Sequence, residues 1–510
     1  MLHWNQPSLA REQLVLIPRT LDDVISPTHP VRFVEEFLGT LDWSAWEGRY
    51  CLLEGRPPIH PRVLASAIIY GLWRGIRSSR ALEEVCRHRI DFMWLMEGRT
   101  PDHSTFADFR TRFSGELKDL MGQLLRAAQE MKLIKLTEVG FDGTHAQANN
   151  SRANCHGERY VRQQIDALDQ RIEQMFAQVD VREGLWDSDG ELTQVEQLLV
   201  QMHDWRQTLQ QTLERLEEEN RKRGKRKDVK GRAKAPLSDT DARLLPNKEG
   251  GYDANYTPTA MVDGVGGLIV TSEVTVGNGE AQALVPAVKE VQRTLGQRPE
   301  AVSADSGFHN GPDLRELETL GVQTLIPPRQ EFADNPAQRP DPTQPVPAEL
   351  HGRLPINPQS KTLDHAAFIY EPAGDRYHCP QGRTLEFVEL KKYQHKGRSG
   401  VYRVYQGQGC EGCPLKSKCV PKDGPAKRLH RDEYEDCRQR VAQRMATEAG
   451  REARRRRGPT CETVFAVIKG VMGLRQFLLR GLEKVQTEWN WAVLSYNVMK
   501  LKGMLCPQMA

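Results

Sequence analysis

At 510 residues the chain is long enough to build two to four hydrophobic cores. Its 38% hydrophobic and 27% charged content is that of a globular protein, and no apolar run approaches the ~20 residues that span a bilayer. A formal net charge of +3 is too small to argue for nucleic acid by itself, and the first 20 residues lack an apolar core with a small-residue cleavage site, so a cytoplasmic protein is expected. The basic charge is concentrated in residues 220–234 (NRKRGKRKDVKGRAK) and 451–457 (REARRRR), blocks that suit either solvated linkers or nucleic-acid contacts.

The first 130 residues read as helical, with connectors at 42–47 and 52–61. Residues 61–75 carry Val63, Leu64, Ala67, Ile68, Tyr70 and Leu72 at helical spacing, with Pro61 placed to start the helix. Residues 78–96 continue with Leu82, Val85, Ile90, Phe92, Met93 and Leu95. Residues 101–113 (PDHSTFADFRTRF) offer Asp102 or Ser104 as an N-cap and then alternate aromatics with arginines. Short helices with Arg and His suit a DNA-binding module of helix-turn-helix type, or equally a packing or dimerisation domain.

Residues 131–142 form the first expected strand, which ends on Asp142. A polar helical insertion at 158–245 follows. Val161, Ile165, Leu168, Ile172, Met175 and Val179, then Val195, Leu198, Met202, Trp205 and Leu209, recur at steps of three and four. That pattern predicts two antiparallel amphipathic helices with a coiled-coil-like seam, ending in the first basic block. Strand chemistry resumes at 256–262 and 268–276, joined by DGVGG, a hairpin signal. A helix at 281–295, a strand at 301–305, a helix at 312–320 and a strand at 322–326 come next. The order predicts a mixed sheet, its first three strands antiparallel and the later ones joined by helical crossovers. Residues 329–358 read as a loop. Short β-like pieces follow at 368–370, 385–390 and 401–405, then a charged helix at 431–457 and amphipathic helices at 462–470 and 487–501.

Two of these strands deliver a carboxylate to their tip: Asp142 in FDGTH and Asp305 in ADSGF. The best third carboxylate is Glu462 in PTCETVFAVIKG. Pro459 and Thr460 make a helix start there, and Val464, Ile468 and Val471 make its apolar face. Glu462 and Lys469, seven apart, then share another side of that helix. Hard carboxylate oxygens suit Mg²⁺ or Mn²⁺. Two such ions ~4 Å apart can activate water for in-line phosphodiester cleavage, after which the freed 3′-hydroxyl can attack a second phosphate.

These motifs, in this order, resemble those of DDE-type insertion-sequence transposases with an RNase H-like catalytic domain. The resemblance rests on HPRVLASAIIYGLWRGIRSSRALEEVC and PDHSTFADFR, FDGTHAQANNSR, GGYDANYTPTAMVD, ADSGFHNG, CEGCPLKSKC, and CETVFAVIKGVMGLRQFLLRGLEKVQTEWNWAVLSYN. It implies that Asp142, Asp305 and Glu462 are the metal-binding carboxylates and that Lys469 contacts DNA near the cut. Related families place an Arg four residues before the glutamate. Here that position is Gly458, and Arg457 is the nearest candidate for the phosphate-binding role. His145, Asn149 and His309 either reach the scissile phosphate, orient a metal ligand or fix their loops. Asp253 and Asp263 are weaker metal candidates, because acids flanking a hairpin turn are usually turn formers.

Four of the ten cysteines fall in one window: Cys379 in YHCPQG, then Cys410, Cys413 and Cys419. Such clustering in a reducing compartment suggests structural Zn²⁺, with reduced cysteines in a packed lobe as the alternative. His378 or Cys437 could replace a ligand, and Lys416, Lys418 and Lys422 would let the lobe grip DNA.

The expected fold is therefore α+β. A helical N-terminal DNA-binding or dimerisation domain (1–130) precedes an RNase H-like domain with a mixed five-stranded sheet and flanking helices (131–157, 246–328 and 445–505). The helical-hairpin insertion (158–245) and a Cys-rich β insertion (329–444) interrupt it. The expected activity is cleavage and joining of double-stranded DNA at the terminal repeats of a mobile element, dependent on two Mg²⁺ or Mn²⁺ ions. A homodimer and no membrane partner are expected, since two ends must be cut together. A metal-dependent nuclease without strand transfer, or an inactive DNA-binding regulator, are the alternatives.

Overall fold

A computed structural model describes residues 20–50, 57–182, 189–224, 232–246, 250–277, 279–330, 332, 334–395, 398–420 and 424–506. The N-terminal 19 residues, the connector at 51–56, the middle of the first basic block (225–231) and Lys422 lie outside them, as do the side chains of Val179 and Val195. The chain divides into two compact units, Met1–Pro299 with Gly458–Ala510, and Glu300–Arg457.

Among the described residues the first unit opens with eight helices: α1 (Leu21–Val24), α2 (Pro30–Gly39), α3 (Ser44–Glu47), α4 (Pro61–Trp73), α5 (Ser79–His88), α6 (Ile90–Leu95), α7 (His103–Arg112) and α8 (Ser114–Glu130). His60 caps α4, Ser78 caps α5 and Asp102 caps α7, each accepting a backbone N–H of the first turn. The alternation of aromatics and arginines in α7 serves packing. Phe106, Phe109 and Phe113 are buried, with Phe109 and Phe113 stacked on Trp46, while the Arg110 guanidinium donates to the Arg77 carbonyl. Burial lowers the pKa of Arg110 to about 10.

The sheet of this unit is built on β6 (Tyr252–Asp263), a 12-residue strand with both edges occupied. Along one edge run β1 (Glu138–Gly143) and β2 (Ala146–Gln147), and along the other β5 (Arg243–Pro246) and β7 (Ile269–Thr275), all antiparallel to it. β1 starts later than its apolar pattern predicts. Lys132 and Leu136 take positive φ, and the Lys135 and Leu136 N–H groups donate to Asp263 Oδ1, which ties 132–136 into a loop. Asp263 Oδ2 accepts from Val265 and Gly266, so this acid shapes the β6–β7 turn. Asp253 is no turn former: it lies buried on β6 and is paired with Arg152.

Within the insertion, α9 (Glu158–Arg182) and α10 (Asp189–Gly224) pack along a seam that includes Val161, Ile165, Leu209 and Leu216. Leu198 and Trp205 of the expected seam are exposed. A two-stranded ladder of β3 (Cys155–Gly157) and β4 (Lys234–Pro236) closes the base of the hairpin, and β5 rejoins the sheet just ahead of residue 246. Helix α11 (Leu284–Leu295) follows β7.

The second unit begins with β8 (Ala301–Ser303), crosses through α12 (Gly311–Thr319) and returns in β9 (Gln323–Leu325), parallel to β8. A five-stranded antiparallel meander follows: β10 (Ile369–Glu371), β11 (Arg376–His378), β12 (Thr384–His395), β13 (Arg398–Gly407) and β14 (Arg428–Asp432), with the short helix α13 (Lys416–Cys419) between the last two. Its core gathers Tyr377, Leu385, Tyr405 and Leu429, and the buried Arg431 lies 3.7 Å over the Tyr370 ring. The expected charged helix at 431–457 is two helices, α14 (Glu435–Ala446) and α15 (Glu448–Ala466), broken at Thr447.

Helix α15 runs into the first unit straight through Pro459. The predicted start at Pro459 and Thr460 is therefore displaced upstream, because the run EAGREARRRR is itself a good helix former. A π turn at Val467–Val471 ends this helical stretch. The last helix, α16 (Leu482–Leu505), is buried along most of its faces.

Candidate functional site

Asp142 stands near the end of β1, opposite Ala260 of β6, half-buried, with Oδ1 accepting from the Gly143 N–H at 2.8 Å. The residues before and after it are fixed by α15 and the π turn. A Cβ on Gly140 would meet Cys461 Sγ at 2.5 Å and Thr460 Cγ2 at 3.3 Å, so the helix lies directly across the bare backbone of β1. Val464 and Ile468 bury the same segment in the core beneath, alongside Ala260 and Val262. Glu462, next to Cys461, faces out and is exposed. Its Oε1 would lie 3.7 Å from a Cβ on Gly458, one turn back on the same helix.

Lys469 lies in the π turn. Its Nζ donates to Thr144 Oγ1 at 2.5 Å and to the His145 carbonyl at 2.7 Å, fastening the loop that follows Asp142. The extra residue of a π turn shifts the helical phase, which leaves Val471 exposed although a regular helix would have buried it. His145 is exposed and offers its backbone oxygen to this clamp. Asn149 is a loop anchor: its Nδ2 donates to the Leu478 carbonyl, and its own carbonyl accepts from Arg480.

Asp305 and His309 belong to the second unit. Asp305 follows β8 by two residues and caps a short 3₁₀ turn, with Oδ1 accepting the Gly307 N–H at 2.7 Å. Burial pushes the His309 pKa down, and its Nε2 is enclosed with no hydrogen-bond partner among the described residues. Arg457 lies at the middle of α15, after Arg451 and Arg455, which pair with Glu448, and Arg456, which pairs with Glu452.

One acid beside this loop escaped sequence reasoning. A Cβ on Gly143 would meet Glu280 Oε2 at 2.5 Å, so the Glu280 carboxylate flanks the residue after Asp142. The only signal for it was an acid at a strand-to-helix joint, in GNGE. Among the described residues, the one group of His, Cys, Asp and Glu whose ligand atoms all lie within 4.8 Å of one another is Glu83, Asp102 and His103. There the Glu83 carboxylate takes the backbone N–H of His103 and bonds its ring, closing the first turn of α7.

Residues 378–502 match the family described as Transposase DDE domain, and residues 19–112 match a second, described as Transposase domain (DUF772). Two segments of the chain are thus similar to transposase families, one of them of the DDE class. The DDE match contains Glu462, Lys469 and the four clustered cysteines, and stops short of Asp142 and Asp305. The second transposase match spans α1 through α7. Among solved structures the chain is similar to a piggyBac transposase synaptic complex with hairpin DNA, at 10% identity and a TM-score of 0.32. That match covers 94% of this chain and 72% of the other, a likeness too loose to bear on fold or activity. No curated protein matches at a significant level. Among the described residues no helix is long and apolar enough to cross a membrane.

Proposed function

We propose that the chain cuts and joins the DNA ends of an insertion sequence, with Asp142, Asp305 and Glu462 as the carboxylates that hold two divalent ions in an RNase H-like catalytic domain. The observation that carries this reading is the clamp of Lys469 on Thr144 and His145, together with the seating of Cys461 on Gly140. Through these contacts the segment bearing Glu462 is fixed against the strand bearing Asp142.

The donor set fits the metal. All three side chains offer hard carboxylate oxygens, and Glu462 is solvent-exposed, as suits an ion that keeps part of its water shell. When bound, Mg²⁺ or Mn²⁺ would supply an activated water and charge stabilisation at the leaving 3′-oxygen. The protein's own part is positional. Asp142 presents its carboxylate near the end of β1 and Asp305 just past β8, Lys469 keeps the Asp142 loop from moving, and the arginines of α15 offer positive charge to the phosphate backbone. Double-stranded DNA is the partner, and a homodimer would serve the two ends of one element.

The test is cleavage of labelled duplexes carrying the ends of the element that encodes the chain. Asp142→Asn, Asp305→Asn and Glu462→Gln should each lower cleavage by on the order of 10³-fold while DNA affinity stays within about threefold. Full cleavage by any of the three sinks the assignment of that residue. Cutting without joining of a pre-cut end would make the protein a nuclease, and binding without turnover a regulator.

A further inference from the structure

The four clustered cysteines, which the transposition chemistry leaves unused, all line one small cavity in the second unit. Cys379 directly follows β11, and the next strand starts at Thr384. The connecting CPQG is a tight turn in which the Gly382 N–H donates to the Cys379 carbonyl at 2.9 Å. Gly382 takes a φ of +73°, and a Cβ there would strike the Thr343 carbonyl oxygen at 1.9 Å, so only glycine fits. The backbone N–H groups of Gln381 and Arg383 point at the Cys379 sulfur.

Cys410 and Cys413 follow the end of β13 in a second turn, QGCEGC, in which Gly409 and Gly412 both have positive φ. The Cys413 N–H faces the Cys410 carbonyl at 3.4 Å, and a Cβ on Gly407 would meet Cys410 Sγ at 2.9 Å, so this thiol folds back over the strand end. Register brings the two turns to one end of the sheet. His378 pairs with Thr384 and Leu385 with Gly407, which sets the turn after β11 beside the turn after β13. Cys419, at the end of α13, comes in from the side and is buried.

The cavity between them measures about 30 Å³. That is room for a single ion with its ligands drawn in, and too little for a multi-iron cluster. Lys427 lines the same cavity, its ammonium anchored on the Leu363 carbonyl at 2.8 Å, and supplies a fixed positive charge beside the sulfurs.

We infer that Cys379, Cys410, Cys413 and Cys419 form a structural site for one zinc ion, tetrahedral and coordinated by four thiolates. Two turns that each aim sulfur from a glycine-relieved backbone, N–H groups directed at a sulfur, and a cation placed to offset anionic ligands are the parts such a site requires. No three of the sulfurs here lie within 4.8 Å of one another. Zinc–sulfur bonds of about 2.3 Å would draw them to roughly 3.8 Å apart. Rotation of one cysteine χ1 moves its sulfur by about 3 Å, so side-chain rotation contributes to that closure. Each thiol that binds releases its proton to solvent, and the zinc stays divalent throughout. The ion would staple the β11–β12 and β13–α13 turns and fix the end of the meander.

The experiment uses the full-length protein, purified under reducing conditions, with its metal content measured by mass spectrometry. One equivalent of zinc is expected, released by a mercurial thiol reagent. Exchange of that zinc for Co²⁺ should give the intense visible bands and near-ultraviolet sulfur-to-cobalt charge transfer of a four-sulfur tetrahedral site. Cobalt held by the carboxylates Asp142, Asp305 and Glu462 would lack the charge-transfer band, so the two sites are read separately. Cys413→Ser should weaken and shift that band, and Cys86→Ser, altering a buried cysteine of α5, should leave it unchanged. Iron in place of zinc, disulfides among the four cysteines, or cobalt spectra without sulfur ligation would each overturn the proposal.

Discussion

Gly140 is bare because Cys461 occupies the space its side chain would need. An added Cβ would lie 2.5 Å from the sulfur and 3.3 Å from Thr460 Cγ2, and neither helix nor strand has an open side to retreat to, since Cys461 is fully buried. Gly140→Ala should therefore destabilise the first unit by about 1–3 kcal/mol through overpacking. It should also lower DNA cleavage, because the displaced segment carries Glu462. Adding Cys461→Ala to Gly140→Ala removes the nearer clash, so the double variant should regain most of both losses. Urea unfolding and cleavage assays on the two single variants and the double variant measure this; additive losses would refute the contact. The placement of Asp142 at the end of a strand, of Asp305 just past one and of Glu462 on a helix was legible in the sequence, since Asp142 and Asp305 end apolar runs and Glu462 precedes an apolar helical face. The fit of Gly140 to Cys461 was not, because it joins segments far apart in the chain. Glu280 was missed for the same reason: only its closeness to Gly143 marks it.

Strand β7 pairs with β6 alone among the described strands, and side chains of α16 take the place of a neighbour on its other edge. Asn497 Oδ1 accepts the Ile269 N–H, and its Nδ2 donates to the Ile269 carbonyl, both at 2.9 Å. Gln486 accepts the Val274 N–H at 2.6 Å. The Asn497 contact is buried, so Asn497→Ala leaves a backbone donor and acceptor without partners and should cost about 2–4 kcal/mol. Asn497→Asp keeps the acceptor but sets a carboxylate against the Ile269 carbonyl, and should cost at least as much at neutral pH. Unfolding midpoints and hydrogen exchange at the Ile269 amide check both; unchanged protection there would remove Asn497 from this role. Elements with strong local signals were readable, among them the β6–β7 hairpin with its DGVGG turn and the helix that became α11. Short strands without alternation, β11 and β14, were not, because neighbouring strands rather than propensity hold them. The phase of Val471 failed because a π turn leaves no mark on hydrophobic periodicity.

The first unit is assembled from two stretches of chain with the whole second unit between them, so its core stays incomplete until the C-terminal segment is made. Most of what that segment contributes is α16. Val485, Trp489, Trp491, Val493, Leu494, Tyr496, Val498 and Leu501 are all buried, Ser495 bonds the Ile69 carbonyl of α4, and Trp491 Nε1 donates to the Arg110 carbonyl of α7. At about 1.5–3 kcal/mol for each large apolar side chain, the burial removed with α16 amounts to roughly 12–24 kcal/mol. A whole domain is stable by only about 5–15 kcal/mol. A chain ended after Arg480 should therefore leave its N-terminal helices and the β6 sheet without a cooperative fold. The second unit, whose core of Tyr377, Leu385, Tyr405 and Leu429 is its own, should keep its fold. Limited trypsin digestion with mass mapping separates these outcomes: residues 20–299 should be cut quickly and residues 334–446 slowly. Protection of 20–299 in the truncated chain would show that α16 is dispensable to the core. If they are cut as expected, an unfinished chain can hold no fixed Asp142 loop, since the strand beneath it has no stable sheet to belong to.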